Sequence, residues 1–299
     1  MSRVLFLFLD GVGLGADDPA TNPLAAADLP TLNGLAGGHK LLAGAPRGEG
    51  PRSLFIPTDA SLGVAGLPQS ATGQATILTG RNVPREVGGH WGPKPNAAVA
   101  ALLRQDNLFR RLTARGQACA LLNAYPQRYF DAIASGHRSY SAVPLAVTSA
   151  GLPLFTSADL RAGQALSADF TGERWPESGG PVYTEREAGH KLAELAGQYH
   201  FSFYEHWVTD FVGHRGTLDE ARQVLERLDR MLAGLLEAWD DEAGLVIISS
   251  DHGNLEALGH KHHTANRVPT LIIGAQRRTF GEGLEDLAGL APRIEAALA

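Results

Sequence analysis

Short apolar runs recur along this chain and alternate with longer amphipathic stretches. Val4–Leu9 is apolar at every position and is followed directly by Asp10. A run without polar alternation predicts a central strand buried on both faces. It is shorter than the roughly 7–15 residues of a signal peptide's apolar region. No stretch approaches the roughly 18 apolar residues of a membrane span. Runs of the same character at Ala118–Leu122, His200–Tyr204, Gly244–Ile248 and Thr270–Ile273 predict further strands. Between them, Asn96–Arg115, Glu185–Gln198, Leu218–Ala238 and a C-terminal piece near Leu284–Leu298 predict helices. In the third, Ala221, Val224, Leu225, Leu228, Met231, Leu232 and Leu235 recur at the three-and-four spacing of one helix face. Short apolar strands alternating with helices predict an α/β fold, its sheet mostly parallel and flanked by helices. Such sheets carry their functional loops at the carboxyl ends of the strands.

The stretch 92–180 breaks this pattern. Pro93, Pro95, Pro126, Pro144, Pro153 and Pro176 interrupt it, and polar turn clusters follow at Thr171–Glu173 and Glu177–Gly180. It reads as a small inserted α+β cap domain, 92–180, within a core made of 1–91 and 181–299. A single continuous sheet with long loops is the alternative, and Asn96–Leu122 reads equally well as a core helix and strand.

Composition narrows the partners. With 35 glycines and 17 prolines in 299 residues the chain is rich in loops, and 44% hydrophobic with 19% charged residues is a globular balance. A net charge of −6 gives no electrostatic reason to expect nucleic acid or an anionic membrane as partner. The single cysteine, Cys119, excludes an intrachain disulfide and any multi-cysteine metal site. It fits a reducing, cytoplasmic setting.

Polar clusters sit at the ends of the predicted strands. Asp10 opens Gly11-Val12-Gly13-Leu14-Gly15. Asp210 and His214 follow the run that starts at His200, and Asp251-His252-Gly253-Asn254 follows Leu245–Ser250. His260-Lys261-His262-His263-Thr264-Ala265-Asn266 precedes the strand near Pro269. Carboxylates and imidazoles at one sheet edge suit divalent metals. Taken singly, each has a plainer reading. Asp10 serves as a turn residue or helix cap, Asp210 and His214 as a surface pair, Asp251 and His252 as an ordinary turn, and His260 and His262 as a solvated loop. In Pro68–Gly80, Ser70 stands where a loop enters a short helix. It is either the helix cap or a residue beside the free N–H groups that suit a phosphate.

Together the segments Phe8–Gly13, Ser70–Gln74, Asp210–His214, Ser250–Asn254 and His263–Pro269 resemble the alkaline-phosphatase superfamily of metalloenzymes. Within it, they resemble the branch of phosphopentomutase and cofactor-independent phosphoglycerate mutase. Leu154–Asp159 is similar to a stretch near the end of the phosphopentomutase cap. The resemblance implies an alkaline-phosphatase-like core and two divalent ions, manganese or zinc with magnesium as a third option. Asp10, Ser70, Asp251 and His252 would hold one ion, and Asp210, His214 and His263 the other. Ser70 would be the nucleophile, passing through a phosphoserine. The implied activity is phosphoryl transfer on a small phosphorylated metabolite, as phosphatase or phosphomutase. A phosphodiesterase or nucleotide pyrophosphatase, or a catalytically silent metal-binding protein, are the alternatives. The sequence departs from the mutases at Gln74, where they carry His, and it is shorter than both. Arg81, Arg85, His90, Lys94, Arg128 and His137 are candidates for substrate contacts. The oligomeric state is not readable from the chain.

Overall fold

The computed structural model describes residues 2–260 and 262–299, so Lys261 of the histidine run lies outside them. A seven-stranded sheet forms the centre. Its strands are β1 (Arg3–Leu9), β2 (Gly48–Glu49), β3 (Ser53–Thr58), β4 (Cys119–Leu121), β7 (Phe201–His206), β8 (Gly244–Ser249) and β9 (Val268–Ile273), in the order β2-β3-β9-β8-β1-β7-β4. A separate two-stranded parallel sheet pairs β5 (Ala124–Tyr125) with β6 (Phe155–Thr156).

The alternating side chains of β1 explain the layering. Val4, Phe6 and Phe8 enter one apolar cluster, while Leu5, Leu7 and Leu9 enter another on the opposite face. Helices Ser70–Thr79, Ala97–Gln105, Leu108–Ala114, Ala142–Ser149 and Leu290–Ala297 cover the first face. Helices Pro30–Leu35, Glu185–Ala196 and Leu218–Ala238 cover the second. Phe6 stacks on Phe203 with ring centroids 4.9 Å apart. Truncating such a fully buried ring to alanine costs about 3–5 kcal/mol. The Leu218–Ala238 helix has the predicted bounds. Thr217 accepts from Glu220 N, and Glu220 reaches back to Thr217 N, a capping box that fixes the start. Every residue of its predicted apolar face is buried.

Three expectations need correction. The sheet is parallel only across β8-β1-β7-β4; β9 runs antiparallel to both β8 and β3, and β3 antiparallel to β2. The predicted helix Asn96–Arg115 is two helices. Asp106 ends the first in an extended conformation, and the Asn107 side chain caps the second by accepting from Arg110 N. The expected cap boundary at residue 92 also falls inside the core layer. Cys119–Leu121 pairs with Phe201–Phe203 at the sheet edge, and Leu103, Phe109 and Leu112 pack in the same cluster as Phe6. Apolar helix faces of this size have to be buried against the sheet, which places residues 97–121 within the central layer. Among the described residues, no helix is long and apolar enough to cross a membrane.

Candidate metal centre

The sheet's directions bring one end of five strands together. Parallel β1, β7 and β8 deliver Asp10, the 207–214 segment and Asp251-His252 at their carboxyl ends. Because β9 is antiparallel, its start lies beside the end of β8, and His263 just upstream arrives at the same edge. β3, antiparallel to β9, ends there too and feeds the loop leading to Ser70. All seven residues singled out by the motifs therefore converge.

They fall into two groups. One donor atom each from Asp10, Asp251 and His252 lies within 4.8 Å of the others, and the same holds for Asp210, His214 and His263. Asp210 and His214 share a face of the Val208–Arg215 helix, with His214 Nε2 3.5 Å from Asp210 Oδ1. His263 Nε2 lies 3.3 Å from His214 Nε2, and its Nδ1 lies 2.9 Å from Pro68 O. The His263 ring stacks on His252 at 3.7 Å, which joins the two groups. His252 Nε2 is 3.5 Å from an oxygen of Asp10 and of Asp251, and 3.0 Å from Ser70 Oγ. Gly11 permits the closeness: its φ is +69°, and a Cβ there would sit 2.5 Å from Asp210 Oδ1.

Ser70 is the first residue of its helix, with Gln69 at the cap position and no side-chain cap. Among the described residues, neither the Ser70 nor the Ala71 N–H finds a hydrogen-bond partner. The helix start thus presents open donors beside the Ser70 hydroxyl, a setting that attracts an anion.

The electrostatics fit a cation. Burial, reinforced by the neighbouring carboxylates, drives the coupled pair Asp10 and Asp251 above the ordinary carboxylate range. Burial, with His263 alongside, pushes His252 down to about 3, so its imidazole is neutral and free to donate a lone pair. Among the described residues, no Lys or Arg pairs with Asp10, Asp210 or Asp251. Asp10 Oδ1 is buried without a hydrogen-bond partner, His252 Nε2 standing off at 3.5 Å. Crowded carboxylates, the neutral His252 imidazole and an orphaned acceptor lack positive charge, and divalent cations would supply it.

A cleft of about 650 Å³ opens from Asp10, Ser70 and Asp210 toward the 123–175 segment. Arg128, Arg138 and Arg174 line it, together with Trp175 and Trp207. Glu205 also lines it; burial raises its carboxyl to about 7, while the Tyr125 hydroxyl donates to it at 2.9 Å. Of the substrate-contact candidates only Arg128 reaches the cleft, where it pairs with Glu177 at 3.3 Å. Arg81 pairs with Glu86, Arg85 and His90 face the carbonyls of Leu62 and Val64, Lys94 donates to Ser139 O, and His137 contacts Ser135. Gln74, the departure from the mutase pattern, donates to Asp251 Oδ2 at 3.0 Å. Arg138, Arg174 and Glu205 escaped the sequence reading, since none of them belongs to a spacing pattern that marks a site.

Residues 180–298 match the family described as the Metalloenzyme superfamily. That stretch contains Asp210, His214, Asp251, His252 and His263 but neither Asp10 nor Ser70. The 2,3-bisphosphoglycerate-independent phosphoglycerate mutase of Methylobacillus flagellatus is 34% identical over 94 residues, covering 29% of this chain and 18% of that protein. The chain thus spans about a fifth of the length of the relatives it matches. Among solved structures, phosphoglycerate mutase of Leishmania mexicana, determined at low cobalt concentration, superposes with a TM-score of 0.61 at 12% identity. The alignment covers 99% of this chain and 95% of that one. Alkaline phosphatase of the Antarctic bacterium TAB5 gives 0.54 at 12% identity, covering 99% and 97%. The resemblance read from the motifs is borne out: the chain has the alkaline-phosphatase-like fold, its 180–298 stretch matches the Metalloenzyme superfamily, and cofactor-independent phosphoglycerate mutases are among its relatives.

Proposed function

We propose that this protein is a two-metal phosphoryl-transfer enzyme acting on a small phosphorylated metabolite, as a phosphatase or phosphomutase. The observation that carries the reading is the pair of three-donor groups, joined by the His252–His263 stack and adjoining the Ser70 hydroxyl at an open helix start. Asp10, Ser70, Asp251 and His252 would hold one ion, and Asp210, His214 and His263 the other. Manganese, zinc and magnesium all suit oxygen and imidazole donors. Bound there, the ions would neutralise phosphate charge and lower the pKa of the Ser70 hydroxyl.

In this mechanism Ser70 Oγ attacks phosphorus in line with the leaving oxygen. Ser70 gives up its hydroxyl proton to solvent, a phosphoserine forms as the ester bond breaks, and the leaving alkoxide takes up a proton from water. The free N–H groups of Ser70 and Ala71 receive a phosphoryl oxygen. His252, with a pKa near 3, is a poor proton acceptor at neutral pH. Its 3.0 Å approach to Ser70 therefore suits a shared ion rather than a base–nucleophile pair. Water then cleaves the phosphoserine, or a retained product takes the phosphoryl group at another hydroxyl.

The cap follows as a proposal in reduced form. The part of 123–180 outside the core-packed Ala142–Ser149 helix carries the small β5–β6 sheet and the apolar cluster of Ala124, Leu160 and Ala165, and it supplies Arg128, Arg138 and Arg174 to the cleft. It would select the substrate and govern water access. A screen of phosphate monoesters and diesters with added manganese, magnesium or zinc tests the reading. Monoester turnover that chelation abolishes supports it. Diester turnover alone favours a phosphodiesterase, and full activity in metal-free protein overturns the metal mechanism.

A further inference from the structure

Glu256 is almost fully buried, and it accepts hydrogen bonds from its own loop after β8, from the loop before β9 and from the distant loop after β1. Its Oε2 takes the backbone N–H of Gly13 at 2.9 Å and of Asn254 at 2.8 Å. Its Oε1 takes the Thr264 hydroxyl and the Asn266 amide, the latter at 3.0 Å. Each donor stands beside a residue of the centre. Gly13 is three residues past Asp10, Asn254 two past His252, and Thr264 directly follows His263. Asn254 in turn donates from its side chain to Asp210 Oδ1 at 2.7 Å. The glycines around the carboxylate leave room for nothing else. A Cβ on Gly13 or on Gly253 would sit 2.2 Å from Glu256 Oε1. Thr264 N also donates to Gly253 O at 3.0 Å, so the loop after β8 and the loop before β9 close on this one side chain.

Resting on the metal-centre reading above, we propose that Glu256 is the positioning residue of that centre. Its carboxylate touches no ligand itself but holds the loops of Asp10, His252 and His263 at one spacing. Two oxygens with four acceptor positions match four donors, and only a carboxylate supplies them. Glutamine keeps the shape but turns one oxygen into an NH₂ group, so two of the four donors lose their acceptor. Outer partners that orient ligands in this way typically change metal affinity by about 10–100-fold when altered.

The test uses the full chain, stripped by chelation and titrated with Co²⁺, reading affinity, stoichiometry and the visible absorption bands of the bound ion. Glu256→Gln is expected to bind cobalt about 10–100-fold more weakly, with shifted bands. Asp229→Asn serves as a stability control. Its buried carboxylate accepts from Thr31 and Leu32 N at the start of the Pro30–Leu35 helix, so it should lower the melting temperature without moving cobalt affinity or bands. Thr264→Val is expected to weaken cobalt binding and Thr264→Ser to restore it. That pair decides the matter if Glu256→Gln does not fold. Cobalt affinity and bands in Glu256→Gln equal to the parent's, or Thr264→Val equal to Thr264→Ser, would overturn the proposal alone. A parent protein that takes up no cobalt overturns the metal-centre reading and this proposal with it.

Discussion

Removing the His263 imidazole perturbs the proposed centre at the point where its two groups meet. His263 supplies one of three donors in the Asp210 group, and its Nδ1 contact with Pro68 O aims Nε2 toward His214. His263→Ala would leave Asp210 and His214 alone. Loss of an outer-shell partner already weakens a metal site by about 10–100-fold, so loss of a donor sets a floor near 100-fold, or about 2.7 kcal/mol. Mass action turns this into a stability difference. At free metal about 100 times the parent dissociation constant, binding stabilises the fold by about 2.7 kcal/mol, and by only about 0.4 once that constant has risen a hundredfold. For 299 residues, unfolding entropy near 2.1 cal/mol/K per residue makes the lost difference roughly 3–4 °C in melting temperature. The assay compares each variant with and without manganese or zinc, so packing lost from the ring stacked on His252 cancels. His260 is exposed, and His260→Ala should keep the full metal-induced rise. A full rise in His263→Ala, with the loss found in His260→Ala instead, would refute the assignment.

Three further expectations test the chemistry. Ser70→Ala, assayed at metal concentrations high enough to fill the remaining Asp10, Asp251 and His252 donors, should abolish the acid-stable phosphoprotein recovered after a rapid quench and lower the rate by orders of magnitude; phosphate trapped on Thr72 would move the nucleophile. Burial raises Glu205 from 4.5 to about 7, so its folded form holds a proton that the unfolded chain releases. The resulting penalty is absent below about pH 4.5 and complete above about pH 7. Metal-free Glu205→Gln should therefore gain stability on the parent from pH 5 to pH 8 by up to about 3 kcal/mol, and a difference equal at both pH values in denaturant titrations counts against it. Replacing Arg138 or Arg174, which line the cleft, with Ala should raise KM for the phosphorylated substrate with metal content unchanged; a fall in kcat with constant KM would assign them another role.

How far the sequence foretold this site depended on what each residue's neighbours encode. Asp10 directly follows a fully apolar strand, Asp251 and His252 stand two and three residues past the end of β8, and strand ends are where α/β sheets collect polar loops. Asp210 and His214 could be paired because a spacing of four on a helix is a local statement. Glu256, Arg138, Arg174 and Glu205 had no such local mark. Each acquires its meaning from partners on other loops: Glu256 from Gly13 and Thr264, and Glu205 from Tyr125. The broken Asn96–Arg115 helix was legible in principle, since Asn107 is a good cap residue within the run. Apolar periodicity continued past it and concealed the break.

Strand direction was the larger gap, and it bears on function. An apolar run such as Thr270–Ile273 looks the same whichever way it runs, and the expectation of a mostly parallel sheet leaves its direction open. The discriminating signal lay in the connection. A parallel neighbour needs a crossover of a dozen or more residues, usually a helix, whereas an antiparallel one does not. The span from Ser250 to Arg267 is long enough for such a crossover but holds glycines and histidines without a helical apolar period. It is consumed instead by site residues. Had β9 run parallel to β8, its start would lie at the opposite edge of the sheet, and His263 would be a strand's length from His214. The antiparallel pairing of Ser249 with Thr270 puts it beside Asp251 and His252 instead. The strand whose antiparallel direction the apolar pattern leaves open is the strand that completes the second donor group.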